Sequence, residues 1–146
     1  MEGDEFYNQQ LGVVMIDSIL QSIKDAAGVS VDSIDGTGVT FDNTAFDQEI
    51  LLHVNAVFMS LRQMGVGPSE AFVVEDNTAT WSDFTDDMSI QPMIRSYVTL
   101  KVRSLFDPPT SSSLAEAIKN TLAEYEWRLG IECDKYKVEE DPNYAN

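Results

Sequence analysis

The sequence predicts a mainly α-helical fold: a small bundle of about four helices, with an antiparallel hairpin of the third and fourth, a long acidic loop and flexible termini. Apolar residues recur at three- and four-residue spacing in four separate stretches, the signature of helices that each bury one face. Glycine or proline closes each stretch, as a helix stop requires. Asp107-Pro108-Pro109 then interrupts one amphipathic run just before the hydroxyl-rich Thr110-Ser111-Ser112-Ser113 that opens the next. Two prolines do not continue a helix, so the chain turns there and the flanking helices fold back on each other.

Residues 1–14 carry only weak periodicity and read as an N-terminal extension to a helical domain over 15–131. The first helix runs from Asp17 to Ala27, with Ile16, Ile19, Leu20, Ile23 and Ala27 on one side and Gly28 as its stop. Val29 to Asn43 is rich in Asp, Ser, Thr and Gly and reads as a loop, with a short extended piece near Val39-Thr40-Phe41. Asn43 or Thr44 caps the second helix, and Asp47 and Glu49 suit the positive end of its dipole. Its main face is Ile50, Leu51, Val54, Val57, Phe58, Leu61 and Met64, and Gly65 takes the left-handed position beyond its end. Opposite lies a narrower apolar strip of Leu52, Ala56 and Met59. A helix apolar on two sides is either sandwiched within the fold or shared with another subunit.

From Ser69 to Met88 the period breaks. Phe72-Val73-Val74 reads as a short strand, Glu75-Asp76-Asn77 as a turn, and Thr80-Trp81-Ser82-Asp83-Phe84 as one helical turn capped by Thr80. Trp81 and Phe84 are read as pins that fasten this segment to the core. The third helix starts near Ser89 with Pro92 in its first turn, and its face is Ile90, Met93, Ile94, Tyr97, Val98, Val102 and Leu105. Lys101 falls on the same side, its stem packed and its ammonium reaching an acid or solvent. Ser113 and Glu116 form a capping box for the fourth helix, whose face is Leu114, Ile118, Leu122, Tyr125 and Leu129, with Gly130 as its end. Trp127 points away from that face. Two readings of it stand together: cover by its own tail, through Tyr136 or Val138, or an interface anchor. Residues 132–146 lack a helical period and contain Asp141-Pro142, which makes them a flexible C-terminal arm.

The chain of 146 residues has a net charge of −16, unevenly spread. Residues 1–49 carry ten acids against Lys24 alone, and residues 70–87 carry six acids and no base, whereas 88–131 hold four acids and five bases. These acids read either as a solvated surface or as a surface that repels a polyanion. Both readings exclude tight general binding to duplex DNA, which carries about one negative charge per 1.7 Å. One cysteine, Cys133, leaves neither an internal disulfide nor a four-cysteine zinc site. The acidic start lacks the basic region of a secretory leader, and no apolar run is long enough to span a membrane.

Catalytic and cofactor motifs are equally wanting. Placing Gly36 at the sixth position of a calcium loop puts Val31 at the first ligand, and valine does not coordinate a hard cation. Gly36-Thr37-Gly38 and Gly65-Val66-Gly67-Pro68 lack the remaining glycine or the lysine of phosphate-binding loops. His53, with Glu49 one turn before it, has no serine or cysteine placed as a nucleophile. Asp86-Asp87 and Glu139-Glu140 can be drawn as acid/base pairs, but no apolar pocket is implied around either. The reading is therefore of a protein with no catalytic residues, no metal and no cofactor.

Three blocks carry a family resemblance: His53-Val54-Asn55 through Gly65-Val66-Gly67-Pro68; Thr80-Trp81-Ser82-Asp83-Phe84; and Tyr97 to Ser113, continued by Glu126-Trp127-Arg128-Leu129. Together, over about residues 17–131, they resemble the small α-helical head–tail connector (adaptor) proteins of tailed bacteriophages. The N-terminal extension, the acidic loop at 29–45 and the tail after Ile131 depart from the family pattern. The resemblance implies a virion neck protein, made in the host bacterial cytoplasm. Its subunits form a homo-oligomeric ring, dodecameric, under the portal protein. The ring extends the DNA channel, passes DNA without binding it tightly and meets the next neck or tail-completion protein. No membrane contact and no catalysis are implied.

On that reading the contact residues are Leu52, Met59, Trp127, Tyr136, Val138 and Tyr144. The hairpin turn is Asp107, Pro108 and Pro109, and the lumen-facing acids are drawn from Asp32, Asp35, Asp76, Asp86 and Asp87. Two rivals stand beside it: a monomeric acidic binding module or regulator that offers a DNA-like charge surface to a basic partner, and a small hydrolase built on paired acids.

Overall fold

A computed structural model describes residues 17–34, 37, 40–140 and 143, with side chains described for 17–30, 37, 43–135 and 143. The N-terminal extension, Asp35 and Tyr144 lie outside the described residues, as do the side chains of Asp32, Tyr136 and Val138. In chain order the elements are α1 (Ile19–Ala27), β1 (Val31–Ile34), β2 (Thr40–Asp42), α2 (Asp47–Gln63), α3 (Trp81–Phe84), α4 (Gln91–Phe106) and α5 (Ser112–Glu140). The fold is mainly α, a helical bundle as expected.

Ser18 caps α1 by accepting the Gln21 N–H, and Gly28 ends it at φ 73°. There Gly28 N–H bonds Asp25 C=O and Val29 N–H bonds Lys24 C=O, so two otherwise orphaned carbonyls are satisfied. The same pair of bonds closes α2, from Gly65 to Arg62 and from Val66 to Leu61. Between these helices the chain forms an antiparallel hairpin, pairing Val31 with Asp42, Ser33 with Phe41 and Ile34 with Thr40, with an irregularity between Val31 and Ser33. A loop with one extended piece was expected there; the polar residues of this stretch concealed the second strand.

α4 is the central helix, packed against α1, α2, α3 and α5. The fully buried side chains include Ile19 and Ile23 of α1, Ile50, Val54, Phe58 and Leu61 of α2, Trp81 of α3, Ile94 and Tyr97 of α4, and Leu129 of α5. Trp81 and Phe84 are core pins, as expected. The Trp81 indole N–H donates to Ser22 Oγ at 3.0 Å, and the Phe84 ring lies 4.7 Å from that of Phe58. Thr80 and Asp83 form a complete capping box around α3. α1 is tied to the same segment, with Ile19 N–H bonded to Ala79 C=O and Ser18 Oγ to Asn77 C=O. Lys24 is buried, its Nζ 3.0 Å from Asp47 Oδ1 in an ion pair whose geometry is not that of a hydrogen bond.

Several boundaries differ from the expected ones. Neither Asn43 nor Thr44 caps α2: Asn43 Oδ1 turns back to accept the Ala45 N–H, and the helix opens after Phe46 without a side-chain cap. Phe72-Val73-Val74 forms no strand, because no other strand pairs with it; the Asn55 amide satisfies Val74 instead. Ser111, not Ser113, stands at the start of α5, accepting Ala115 N–H on its carbonyl and Leu114 N–H on its hydroxyl. Leu105 and Leu114, assigned to buried faces, are exposed beside the turn that joins the two helices of the hairpin. Most consequential, α5 runs through Gly130 to Glu140, so the first nine residues of the expected arm continue the helix. Leu129 and Cys133, one turn apart and both buried, hold it on either side of the glycine.

Candidate intersubunit surfaces

Helical geometry that buries Val54, Val57, Phe58 and Leu61 turns Leu52, Ala56 and Met59 outward on α2. Leu52 is 74% exposed and Met59 44%. Among the described residues nothing covers the strip. Val73, next to the residue that Asn55 grips, adds a further exposed apolar side chain.

On α5 the faces divide in the same way. Leu122, Leu129 and Cys133 are buried, while Trp127 is 67% exposed and Ile131, one turn on, is also exposed. The two readings of Trp127 now separate. At 1.5 Å per residue, α5 carries the backbone of residues 136 and 138 about 13 and 16 Å along the axis from Trp127. They do not fold back over the indole. Ile131 was missed because the helix was expected to stop at Gly130; continuing the 3.6-residue period would have placed it beside Trp127.

Asp107, Pro108 and Pro109 lie in the link between α4 and α5, and the two helices run antiparallel from it. The pairing is held by Tyr97, whose hydroxyl donates to Glu126 Oε1 at 2.9 Å, with Lys101 Nζ 3.6 Å from the same oxygen. Burial pushes the Tyr97 phenol above its ordinary value, with the hydrogen bond to Glu126 and that carboxylate's charge acting in the same direction. At the elbow, Phe106 packs edge-on to Phe46 at 5.5 Å. Leu105 and Leu114 stay exposed beside two shallow grooves.

The acids divide by role. Asp76 and Asp86 are exposed. The hydroxyl and backbone N–H of Thr78 both donate to Asp76, holding its carboxyl below the ordinary value. Asp87 is half-buried and accepts from the Ser89 N–H and hydroxyl, while its carbonyl receives Ile90 and Gln91, so it organises the entry to α4. Asp86 thus faces solvent, while Asp87 is taken up by local hydrogen bonds from Ser89. His53 is half-buried on α2, and among the described residues no three of His, Cys, Asp and Glu gather as metal ligands. No helix of the described residues is long and apolar enough to cross a membrane.

No curated protein and no solved structure is significantly similar to the chain. The family model for phage connector proteins, however, matches residues 19–136, from the first residue of α1 almost to the end of α5. That span takes in the hub helix α4, the α4–α5 hairpin, and both outward apolar strips. The chain therefore belongs to the phage connector protein family.

Proposed function

We propose that the protein is a structural subunit of a phage neck, and that its copies close into a ring beneath the portal. The ring, dodecameric on this reading, extends the DNA channel, joins capsid to tail and offers a platform to the next neck or tail-completion protein. The observation that carries the proposal is the pair of uncovered apolar strips, around Leu52 and Met59 on α2 and around Trp127 and Ile131 on α5. A closed heterologous ring requires two different patches per subunit, one for each neighbour. Family membership supplies the setting.

The net charge of −16 suits a wall along which DNA slides. Repulsion at physiological salt extends only about 8 Å, so the exposed Asp76 and Asp86 act as a lining. Residues 141–146, with Tyr144, serve as an arm that orders on a neighbouring neck or portal subunit. Cys133 is buried, so the truncation that tests the arm starts after Glu140.

Negative-stain imaging of the purified chain, alone and with purified portal, tests the proposal. Rings or portal-bound collars are expected, and Leu52→Ser with Trp127→Ser should abolish them while circular dichroism stays unchanged. A chain that remains monomeric with the portal and instead captures a basic protein would overturn this reading in favour of an acidic binding module.

A further inference from the structure

The elbow of the α4–α5 hairpin carries an unusual combination for so acidic a chain. Two grooves of about 400 and 410 Å³ meet there, sharing Ser104, Pro109 and Ile118. Leu100 and Leu114 supply apolar walls to one of them. Arg103 stands on that groove and Lys119 on the other. Lys24, Lys101, Arg128 and Lys135 each meet a carboxylate. Among the described residues Arg103 and Lys119 form no ion pair, although the chain holds 25 acids against nine Lys and Arg. Asp107 and Glu126 also line the grooves, with Glu126 already engaged by Lys101 and Tyr97. Arg103 and Lys119 are thus the lining cations left to draw a segment that is both acidic and apolar.

One segment of this sequence has that chemistry. Residues 1–16 open with Glu2, Asp4 and Glu5, continue with Phe6 and Tyr7, and end in Val13-Val14-Met15-Ile16, with no Lys or Arg among them. We propose that the elbow groove receives residues 1–16 of a second copy of this chain, with the acids set against Arg103 and Lys119 and the aromatic pair in the apolar trough. The proposal rests on the ring reading, since it needs an adjoining subunit. The ring reading, and not reach, selects a neighbour over the segment's own chain. The Ile19–Ala79 bond and the Trp81–Ser22 bond fix the start of α1 beside α3. Arg95, in the first turns of α4, lies over the same Trp81 ring, which puts that start at the end of α4 opposite the elbow. Sixteen residues span at most about 50 Å, enough for the elbow of their own subunit, one α4 length away, or for that of an adjoining one.

Two full-length variants, Asn8→Cys and Thr110→Cys, are mixed and treated with a short bismaleimide, with the unsubstituted chain as the control for Cys133. A covalent dimer that needs both variants is expected. Arg103→Glu with Lys119→Glu should lower its yield at least tenfold, and Glu2→Lys, Asp4→Lys and Glu5→Lys in the other chain should restore it. Rescue separates loss of contact from loss of folding. Rings, free or on the portal, without the mixed dimer overturn this strap and leave the ring reading standing, whereas a chain that stays monomeric in native mass spectra even with the portal present overturns both. Linkage found only within a chain carrying both cysteines also overturns the proposal.

Discussion

Asn55 grips the backbone of Val74 at both edges: its Oδ1 accepts the Val74 N–H at 2.8 Å and its Nδ2 donates to the Val74 carbonyl at 3.0 Å. One side chain thereby does for the 69–79 segment what a neighbouring strand would do. Val74 is buried, so loss of the amide strands a donor and an acceptor away from water. Asn55→Ala is expected to destabilise the subunit by about 2 kcal/mol. Asn55→Asp should also be costly, because a carboxylate keeps the acceptor and loses the donor. Urea unfolding at neutral pH checks both.

Gly67 holds φ 87°, and a Cβ there would meet the Phe84 ring Cζ at 2.2 Å. Gly28 has a similar φ of 73° but open space around the same position. The two glycines separate backbone strain from steric exclusion. Gly28→Ala should cost about 1 kcal/mol, from the left-handed backbone alone. Gly67→Ala should cost at least about 2 kcal/mol more, since Phe84 must leave its place against Phe58 and Phe72. Phe84→Leu in the Gly67→Ala background should make the second change less costly than it is alone.

Gly130 shows the opposite case. It lies inside α5, and a Cβ built there meets nothing within 4 Å. Gly130→Ala should therefore stabilise the protein, by up to about 1 kcal/mol, by raising helix propensity and narrowing the unfolded ensemble. A fall in denaturation midpoint would show that the helix is interrupted at this point.

Tyr97 makes stability depend on alkaline pH. Its native phenol is held above the ordinary value by burial and by Glu126, whereas the unfolded phenol ionises near about 10. Above that point the unfolded chain releases a proton that the native chain retains, so stability falls as pH rises toward the native value; below it the contribution is fully present. Tyr97→Phe should unfold more easily than the parent at neutral pH, by about 1 kcal/mol for the lost hydrogen bond. Its stability should also decline less steeply between about pH 9 and about pH 11. Parallel slopes in the two proteins would count against the assignment.

Side-chain period carried most of what the sequence revealed. Ile50, Val54, Phe58 and Leu61 face the core because one helical stripe decides it, and the same stripe leaves Leu52 and Met59 outside. Thr80 and Asp83 were legible because a capping box is local to four residues. Two of the misses, at Val74 and at Gly130, depended on packing that residues nearby in sequence do not announce. Nothing near Val74 announces Asn55. Nothing around Gly130 announces that packing on both sides will carry a helix through it. Among Thr110, Ser111, Ser112 and Ser113 the hydroxyls are chemically alike, and only the path of the turn selects Ser111. The apolar surfaces were half legible for the same reason, since Trp127 was visible as an outward residue while Ile131 was hidden by the misplaced helix end.

The subunit carries two indoles in opposite surroundings, Trp81 sealed and hydrogen-bonded to Ser22, Trp127 bathed in solvent. Each is a built-in optical gauge. Emission from Trp81 tracks whether the polypeptide is folded, whereas the red-edge emission of Trp127 shifts to shorter wavelength only when something docks on α5. Replacing either indole with phenylalanine separates the two signals, so folding and assembly can be followed in one cuvette without attaching a dye.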